Sequence, residues 1–244
     1  MAADISRFID IHIHILPGID DGAKSLHEST DMAKAYAELG VTRLVATPHF
    51  IPGTAWAAGR DKIAAKIKEL QEHLTKNNID LKIFPGMEIA YHKKLIDRLE
   101  KGLLQPLGTS DTYLLEPSFN DSYDDLLECA KQIMMQGSGA ILAHPERISS
   151  FQETPEPLLQ LVEEGLQVQL NMGSLLGKFG ESSKKMAMYL IEENSVHFLA
   201  SDAHSIEKRR PLGLEDWRQL TELLGDDQLT KLCISNPSRL LTNL

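Results

Sequence analysis

Cysteine is scarce in this chain of 244 residues, which contains Cys129 and Cys233 and no others. Two cysteines provide neither a disulfide framework nor a thiolate metal cluster. Uninterrupted apolar runs are also short, and none approaches the ~18 residues of a membrane span. The N-terminus has no basic segment followed by an apolar stretch. The sequence therefore predicts no signal peptide and no membrane insertion, and the cytoplasm is the expected location.

Basic residues are few relative to acidic ones. The chain has 25 Lys and Arg against 35 Asp and Glu, a formal net charge of −10. This charge argues against a general binder of nucleic acid or of anionic membranes. It does not exclude an anionic substrate, because bound metal ions reverse the sign of a local site. No linker or low-complexity tract divides the chain, so a single domain over residues 1–244 is predicted.

Two histidines stand one residue apart in the apolar segment Ile11-His12-Ile13-His14-Ile15. Because side chains alternate along a strand, His12 and His14 would point to the same face, within reach of one ion. Taken alone, the pair fits a buried strand with incidental histidines equally well. The turn that follows contains Asp20 and Asp21, and the pattern does not decide which of them is a ligand.

Short apolar strands alternate with helices along the whole chain. The first helix is predicted to begin at Ser25, which forms a capping-box pattern with Glu28, and to end near Gly40. About seven strand–helix units predict parallel strands and favour a closed α/β barrel over an open sheet. In such a barrel, the loops at the carboxyl ends of the strands carry the functional site.

Histidine and carboxylate side chains recur where the predicted strands end. An inventory of imidazoles and carboxylates without thiolates suits Mn²⁺, Fe²⁺ or Zn²⁺. It is too large for one tetrahedral ion and fits two or three ions that share a carboxylate. Polar residues are common at strand ends, which explains any one of these positions but not the whole set. The role of His92 stays open. The candidate ligands are His12, His14, Asp21, His49, Glu88, Glu116, His144, Asp202 and His204.

The segments that carry these residues resemble the PHP superfamily (polymerase and histidinol phosphatase). Within it, the chain is similar to the bacterial protein-tyrosine phosphatases of capsule and exopolysaccharide synthesis. The resemblance implies a distorted (β/α)7 TIM-like barrel with a trinuclear metal centre. The matching segments cover almost the whole chain in family order: Ile9-Asp10-Ile11-His12-Ile13-His14, Pro17 to Ser25, Ala46-Thr47-Pro48-His49, Gly86-Met87-Glu88-Ile89, Leu114-Leu115-Glu116, Ala143-His144-Pro145-Glu146-Arg147 and Ala200-Ser201-Asp202-Ala203-His204.

The resemblance also implies roles for individual residues, although the exact partition of the ligands stays open. Two or three divalent ions are expected, most of all Mn²⁺, with Fe²⁺ or Zn²⁺ as alternatives. Arg147 matches a substrate-phosphate arginine, and Arg210 matches a second one better than Arg209 does. Three ligand sets are implied: His12, His14, Glu88 and Asp202; Glu88 as a bridge with Glu116 and His144; and Asp21, His49 and His204.

One position departs from the family pattern. Phe50 stands where many relatives carry a basic residue or a histidine, directly after the Thr-Pro-His segment. Together with Trp56 in the following loop, it is expected to border the mouth of the site. The two rings either pack on an aromatic leaving group, which makes Phe50 a candidate substrate-binding residue, or close the loop on itself.

The implied function is hydrolysis of phosphotyrosine on proteins by attack of a metal-bound hydroxide. The resemblance implies a bacterial tyrosine kinase as the protein substrate, and it gives no oligomeric state. A phosphatase acting on a small phosphate monoester such as histidinol phosphate is the nearest alternative. Amidohydrolases share the barrel and the histidine pair but often bridge their ions with a carboxylated lysine, where this chain offers Glu88. A non-enzymatic metal-holding module would lack ligands, and none is missing.

A rival phosphatase motif lies near the C-terminus. Cys233 and Arg239 satisfy the C-x5-R spacing of cysteine-dependent phosphatases. That loop needs backbone N–H groups wrapped around phosphate above a thiolate of low pKa. Here the loop has no glycine, and Pro237 removes one donor. A catalytic Cys233 is therefore not expected.

Overall fold

The chain adopts an α/β fold of parallel strands. A computed structural model describes residues 3–117 and 123–241. Within these ranges every strand pairs in parallel with its neighbours, in a sheet of three strands and a sheet of six. The strands are β1 (Ile9–Ile13), β2 (Arg43–Ala46), β3 (His49–Phe50), β4 (Lys82–Pro85), β5 (Glu88–Ala90), β6 (Thr112–Glu116), β7 (Gly139–Ala143), β8 (Gln167–Asn171) and β9 (Phe198–Ala200).

Helices fill most connections between the strands, close to where the sequence predicts them. Ser25 caps the first helix by accepting a hydrogen bond from the Glu28 amide. None of the helices in the described part of the chain is long and apolar enough to cross a membrane. The helices are α1 (Leu26–Ala37), α2 (Arg60–Lys76), α3 (Leu95–Glu100), α4 (Tyr123–Met135), α5 (Ser149–Glu153), α6 (Glu156–Glu163), α7 (Met172–Leu175), α8 (Glu181–Glu192), α9 (Leu214–Leu224), α10 (Asp226–Thr230) and α11 (Asn236–Arg239), with 3₁₀ turns at Ile5–Arg7 and Pro145–Arg147 and a π-helical turn at Lys231–Ser235.

Two short strands, β3 and β5, follow the second and third predicted strands. The order is β1-β2-β4 in the first sheet and β3-β5-β6-β7-β8-β9 in the second, so the chain passes from the first sheet to the second after β2, returns after β3, and passes again after β4. Pro48 stands at the first break and has no N–H for a sheet hydrogen bond. Gly86 stands at the second, where a Cβ would lie 2.8 Å from Val45 Cγ1. These two residues explain why the structure has more strand segments than the sequence predicts.

The first and last strands meet without forming a sheet ladder. One isolated parallel bridge pairs Ile13 with Ala203, just beyond β9. The His14 amide donates to the Ala203 carbonyl and the Asp202 amide donates to the His12 carbonyl, both at 2.9 Å. No closed sheet is present among the described residues. The prediction of an α/β fold with parallel strands is confirmed, whereas the (β/α)7 barrel stays a prediction.

The centre of the fold is a buried polar group on β1. Asp10 is fully buried and accepts hydrogen bonds from the Tyr36 hydroxyl of α1 and, at 3.1 Å, from the Ser201 amide. The Tyr36 hydroxyl also lies 3.0 Å from the Ser201 hydroxyl. Because buried polar groups are stable only when they are hydrogen-bonded, these contacts fix β1, α1 and the turn after β9 to one another. That turn carries Asp202 and His204.

Gly22 packs so closely on His14 that a side chain has no room there. A Cβ at Gly22 would lie 2.2 Å from the His14 carbonyl oxygen and 2.4 Å from His14 Cβ. We expect Gly22→Ala to lower the free energy of unfolding by about 1–3 kcal/mol, because overpacking moves the turn away from β1. Thermal unfolding followed by circular dichroism measures the loss. Gly59→Ala is the matched control, since a Cβ at Gly59 meets nothing within 4 Å. Equal melting temperatures of the two variants would contradict this expectation.

Candidate metal centre

All nine predicted ligands lie together, either on strands or in the segments that follow them. Each contributes at least one nitrogen or oxygen atom to a group whose atoms lie within 4.8 Å of one another. These groups share residues, so the side chains form one continuous cluster. The groups are His14, Asp21, His49 and His204; His12, Glu88 and His144; His12, His14 and Asp202; and His49, Glu88 and Glu116.

Glu88 lies at the middle of this cluster. Its Oε1 is 3.2 Å from His12 Nε2 and 2.8 Å from His144 Nε2. Its Oε2 is 3.2 Å from His14 Nε2 and 2.9 Å from His49 Nδ1. The carboxylate therefore faces four imidazoles from three segments of the chain, with His12 and His14 from β1 and its end, His49 from β3 and His144 from the end of β7.

Several of the converging atoms are buried without a hydrogen bond. They include Oε2 of Glu88, Oδ1 of Asp202 and Nδ1 of His49. Nitrogen–oxygen distances around them are short, such as 2.9 Å between His49 and Glu88, but the N–H directions do not produce a hydrogen bond. Buried polar atoms rarely lack a partner, and imidazole nitrogen with carboxylate oxygen suits Mn²⁺, Fe²⁺ and Zn²⁺. The residues present therefore fit a divalent metal centre.

The two histidines of the first strand are oriented by neighbouring side chains. Nδ1 of His12 lies 2.8 Å from Gln169 Oε1, and Nδ1 of His14 lies 2.8 Å from Asp20 Oδ2. When a neutral ring donates from Nδ1 to these oxygens, its Nε2 carries the lone pair that an ion needs; in both rings Nε2 lies near Glu88 and Asp202. Metal-binding histidines commonly donate their other N–H in this way, which fixes the tautomer and the ring direction.

Asp20 and Asp21 have different surroundings. Oδ1 of Asp20 accepts from the Gly22 amide at 2.9 Å, and its Oδ2 accepts from the His49 amide at 3.0 Å. Asp21 Oδ1 lies 3.4 Å from His49 Nε2 and 3.5 Å from His204 Nε2. The structure thus places Asp21 in the cluster and Asp20 behind it, as the partner of His14.

Charge compensation keeps the buried carboxylates ionised. Burial raises the pKa of Glu88, but the charges of His12 and His49 outweigh it and hold the pKa well below its ordinary value. The pKa of Asp202 is likewise lowered well below its ordinary value by His12, His14 and Arg209, against the effect of burial. Burial raises the pKa of Asp21 as well, but His204 and His49 outweigh this effect and lower the pKa to about 2.

Neighbouring carboxylates raise the pKa values of two imidazoles of the cluster, whereas that of a third is lowered. Burial lowers the pKa of His49, but Glu88 and Glu116 outweigh this effect and raise it to about 10. The pKa of His14 is raised well above its ordinary value, because Asp20 and other carboxylates outweigh burial. The pKa of His204 is lowered, first by burial and then by the charge of His14. The cluster thus holds protons where a cation would fit.

Two arginines lie at the edge of the cluster, and one of them differs from the sequence prediction. Arg147 Nη1 lies 3.1 Å from Asp202 Oδ2, and Arg209 contacts the same oxygen. Arg210, which the sequence favours as the second phosphate arginine, instead pairs with Asp216 Oδ2 at 3.0 Å and does not line the cavity beside the cluster. The reason is local, because Asp216 at the start of α9 draws Arg210 away. Arg209 is therefore the arginine that faces the site.

Phe50 is not at the mouth of the site. Its side chain is 4% exposed within the hydrophobic core, and it does not line the cavity beside the cluster. The backbone of Phe50 forms an antiparallel bridge with Ala57, which closes the loop on itself. Trp56 is partly buried and lines the cavity, and its ring stacks on His49 with an interplanar angle of 12° and centroids 5.6 Å apart. The burial of Phe50 contradicts the expectation that its ring borders the site, whereas Trp56 does border it.

A cavity of about 410 Å³ opens over the cluster. Arg147, Arg209 and the carboxylates are among its polar lining residues. The apolar wall of the cavity consists of Ile51, Trp56, Ala90, Pro117 and Ile148. The cavity can therefore hold an anionic group at the cluster and an apolar ring against the wall.

Three residues that were not among the predicted ligands support the site. Asn171 donates to Asp202 Oδ2 at 2.7 Å, and Gln169 holds His12 and donates to Asn171 Oδ1. Glu146 is fully buried and accepts from the Asn171 amide at 3.1 Å and from the Ser174 hydroxyl at 2.6 Å. The alternation of Gln169 and Asn171 along β8 is the signal that could have found two of them.

The cysteine motif has no role in this site. Cys233 is fully buried in the π-helical turn, and burial raises the pKa of its thiol well above the ordinary value. A thiolate nucleophile needs a lowered pKa and access to solvent. The expectation that Cys233 is not catalytic agrees with both observations.

Parallel α/β strands that end in a histidine–carboxylate cluster, with arginines beside it, are typical of α/β metallohydrolases. Residues 8–242 match the family described as "Capsular polysaccharide synthesis, CpsB/CapC". The chain belongs to this family. The resemblance to the PHP superfamily and its capsule-linked tyrosine phosphatases is thereby confirmed.

Relatives and solved structures agree with this assignment. The chain is 35% identical to the tyrosine-protein phosphatase YwqE of Bacillus subtilis over 82% of this chain and 79% of YwqE. It is 30% identical to the tyrosine-protein phosphatase CpsB of Streptococcus pneumoniae over 96% and 98% of the two chains. A crystal structure reported for YwqE and CpsB as "unique metal-dependent tyrosine phosphatases" matches with a TM-score of 0.89 and 33% identity, over 96% of this chain and 94% of that one.

A more distant match shares the fold alone. The histidinol phosphate phosphatase of Lactococcus lactis superposes with a TM-score of 0.59 at 13% identity, over 90% of this chain and 94% of that one. The shared fold agrees with the PHP-type architecture expected from the sequence.

Binding of a divalent ion is expected to release protons. The pKa values of His14, His49 and His144 are raised by neighbouring carboxylates, and a ligating imidazole must be neutral. Protons therefore compete with the ion below these raised pKa values, and the affinity for Mn²⁺ increases with pH. Calorimetric titration with Mn²⁺ in two buffers of different ionisation enthalpy, at about pH 6 and about pH 8, measures the released protons.

Two substitutions separate this effect from surface histidines. His49→Gln removes a buried imidazole of the cluster, and we expect it to reduce both affinity and proton release. His27→Gln is the matched control, because its side chain is 84% exposed on α1. Binding heats that are identical in both buffers would show that no proton is displaced.

Proposed function

We propose that this chain is a metal-dependent phosphatase that hydrolyses phosphotyrosine on proteins. One observation carries the proposal: a single cavity combines the histidine–carboxylate cluster, Arg147 and Arg209, and an apolar wall that includes Trp56. These parts match the three parts of the substrate, namely the reacting phosphorus, the charged oxygens and the phenyl ring. The names of the relatives support the same activity.

We propose that the nine clustered residues hold two or three divalent ions, with Mn²⁺ favoured and Fe²⁺ or Zn²⁺ as alternatives. Such ions supply positive charge to phosphate oxygens and lower the pKa of a coordinated water. Glu88 is suited to bridge ions because each of its oxygens faces two imidazoles. Asp21 and His204 then serve the side of the cluster that is nearest to solvent.

Arg147 and Arg209 bind the phosphate in this proposal. Both guanidinium groups are held by Asp202, and both line the cavity. Arg147 is also packed 4.4 Å from the ring centroid of Phe179. A guanidinium has five N–H donors, so donors remain for the non-bridging oxygens of the phosphate. Their positive charge also opposes the overall acidity of the protein.

The apolar wall orients the leaving group. The loop that carries Trp56 is closed by a 2.7 Å hydrogen bond from the Ile51 amide to the Trp56 carbonyl. Trp56 and Ile148 both line the cavity and can contact a phenyl ring whose phosphate lies at the cluster. A phenol has a pKa of about 10 and leaves with less protonation than an alkoxide. The wall therefore favours phosphotyrosine over histidinol phosphate.

We also infer that the strands enclose a distorted (β/α)7 barrel within a single domain. The hydrogen bonds between the end of β1 and the segment after β9 support this inference.

We further propose that the protein substrate is a bacterial tyrosine kinase that controls capsule or exopolysaccharide synthesis. The family description supports a role in capsule synthesis.

Chelation and substrate comparison test the proposal. We expect hydrolysis of a phosphotyrosine peptide to stop after dialysis against EDTA and to return with Mn²⁺. The steady-state kcat/KM for this peptide is expected to exceed that for histidinol phosphate, because the latter has no aromatic leaving group. Cys233→Ser is expected to retain activity, since the thiol is buried. Activity that survives chelation, or is abolished in Cys233→Ser, would overturn the proposal.

Substitution of the two neighbouring arginines separates their roles. We expect Arg209→Ala to lower kcat/KM for phosphotyrosine by about 10²–10³-fold, because a preorganised donor to the phosphate is lost. Arg210→Ala is the matched control, with an expected change within about threefold, because its half-exposed ion pair with Asp216 lies outside the cavity. Steady-state kinetics with free phosphotyrosine measures both. A larger loss in Arg210→Ala than in Arg209→Ala would contradict the assignment.

A further inference from the structure

A second cavity of about 210 Å³ lies next to the one over the metal cluster. Arg209 lines both cavities, so its side chain forms part of the wall between them. Arg147 lines the first, Phe179 lines the second, and the two side chains pack on each other at 4.4 Å. A peptide bound with one side chain in the first cavity can therefore place a flanking side chain in the second.

The second cavity is unusually basic for this acidic chain. Its lining includes four cationic side chains against two carboxylates, whereas the whole protein has a net charge of −10. The base of the cavity is apolar and includes Met172 and Leu212, which are buried. The charged residues of the lining are Lys178, Lys208, Arg209, Arg210, Glu207 and Asp216.

The positive charge is only partly neutralised within the protein. Asp216 accepts from Lys178 Nζ at 2.6 Å and from Arg210 Nη2 at 3.0 Å, so one carboxylate serves two cations. The Lys208 ammonium forms no ion pair with any residue in the described ranges 3–117 and 123–241. A cavity lined by an unpaired ammonium and by apolar residues suits a side chain that has an anionic end and an aliphatic or aromatic stem.

We propose that this cavity is a subsite for an anionic side chain that flanks the phosphotyrosine of the substrate. The inference rests on the proposed phosphotyrosine phosphatase activity and adds a preference among its substrates. The shared ligand chemistry is a carboxylate or a second phosphate on a nearby residue of the same peptide. Lys208 is the specificity-determining residue, because its charge is the one without an internal partner.

The experiment compares matched phosphopeptides on the Mn²⁺-loaded full chain. One peptide has alanines on both sides of the phosphotyrosine, a second set has glutamates on one side or the other, and a third has a second phosphotyrosine. We expect kcat/KM to be about three- to tenfold higher for the better anionic peptide than for the neutral one, and the preference to shrink with added salt. The ratio between the glutamate and the second-phosphotyrosine peptides tells which anion the subsite prefers.

Charge reversal locates the effect. Lys208→Glu is expected to abolish the preference for anionic over neutral peptides, measured as the ratio of their kcat/KM values, and free phosphotyrosine is still hydrolysed. Lys62→Glu, an exposed position on α2, is the matched control and should keep the preference. Equal kcat/KM for neutral and anionic peptides, or a preference that persists in Lys208→Glu, would overturn the subsite but leave the phosphatase proposal intact. Absence of hydrolysis of free phosphotyrosine by the Mn²⁺-loaded wild-type chain would overturn both.

Discussion

The contact on which the structure depends is the buried carboxylate of Glu88 between four imidazoles. His12 and His14 from β1 and its end, His49 from β3 and His144 from the end of β7 approach its two oxygens at 2.8–3.2 Å. A charge at this depth is tolerated only when it is compensated. The parallel strands must therefore end in register around one point, and a shift of any strand by one residue would turn its ligand away from the others.

Backbone strain appears at two of these strand ends. His144 and Asp202 both have positive φ, at 35° and 54°, which side-chain-bearing residues adopt at a cost of order 1–3 kcal/mol. At both positions the chain turns abruptly, so that a side chain directly after a buried strand points back toward the cluster. The hydrogen bonds of Asn171 to Asp202 and of the Ser201 amide to Asp10 hold one of these turns in place. At Asp202, the strained backbone is thus part of a turn that hydrogen bonds hold in place.

Sequence patterns could place the ligands but not their surroundings. The nine cluster residues were predictable because parallel strands end on one side, and period two fixes the directions of His12 and His14. The sequence pattern could not separate Asp20 from Asp21. Their difference lies in two hydrogen bonds that Asp20 accepts from the backbone amides of Gly22 and His49. The choice between Arg209 and Arg210 likewise depended on Asp216 in a helix that follows them. The short strands β3 and β5, which follow Pro48 and Gly86, were not predicted.

The distribution of charge determines where an anion can bind in the site. The protein as a whole is acidic, and the cluster contributes further carboxylates, yet each of these carboxylates is surrounded by imidazoles or guanidinium groups. Arg147 and Arg209 both contact Asp202, Arg209 also contacts His204, and both side chains line the cavity. Trp56 stacks on His49 and lines the same cavity. The arginines attract an anion to the cluster, while the apolar residues of the lining offer contacts to an uncharged ring. One cavity therefore offers separate contacts to the phosphate and to the ring of an aryl phosphate.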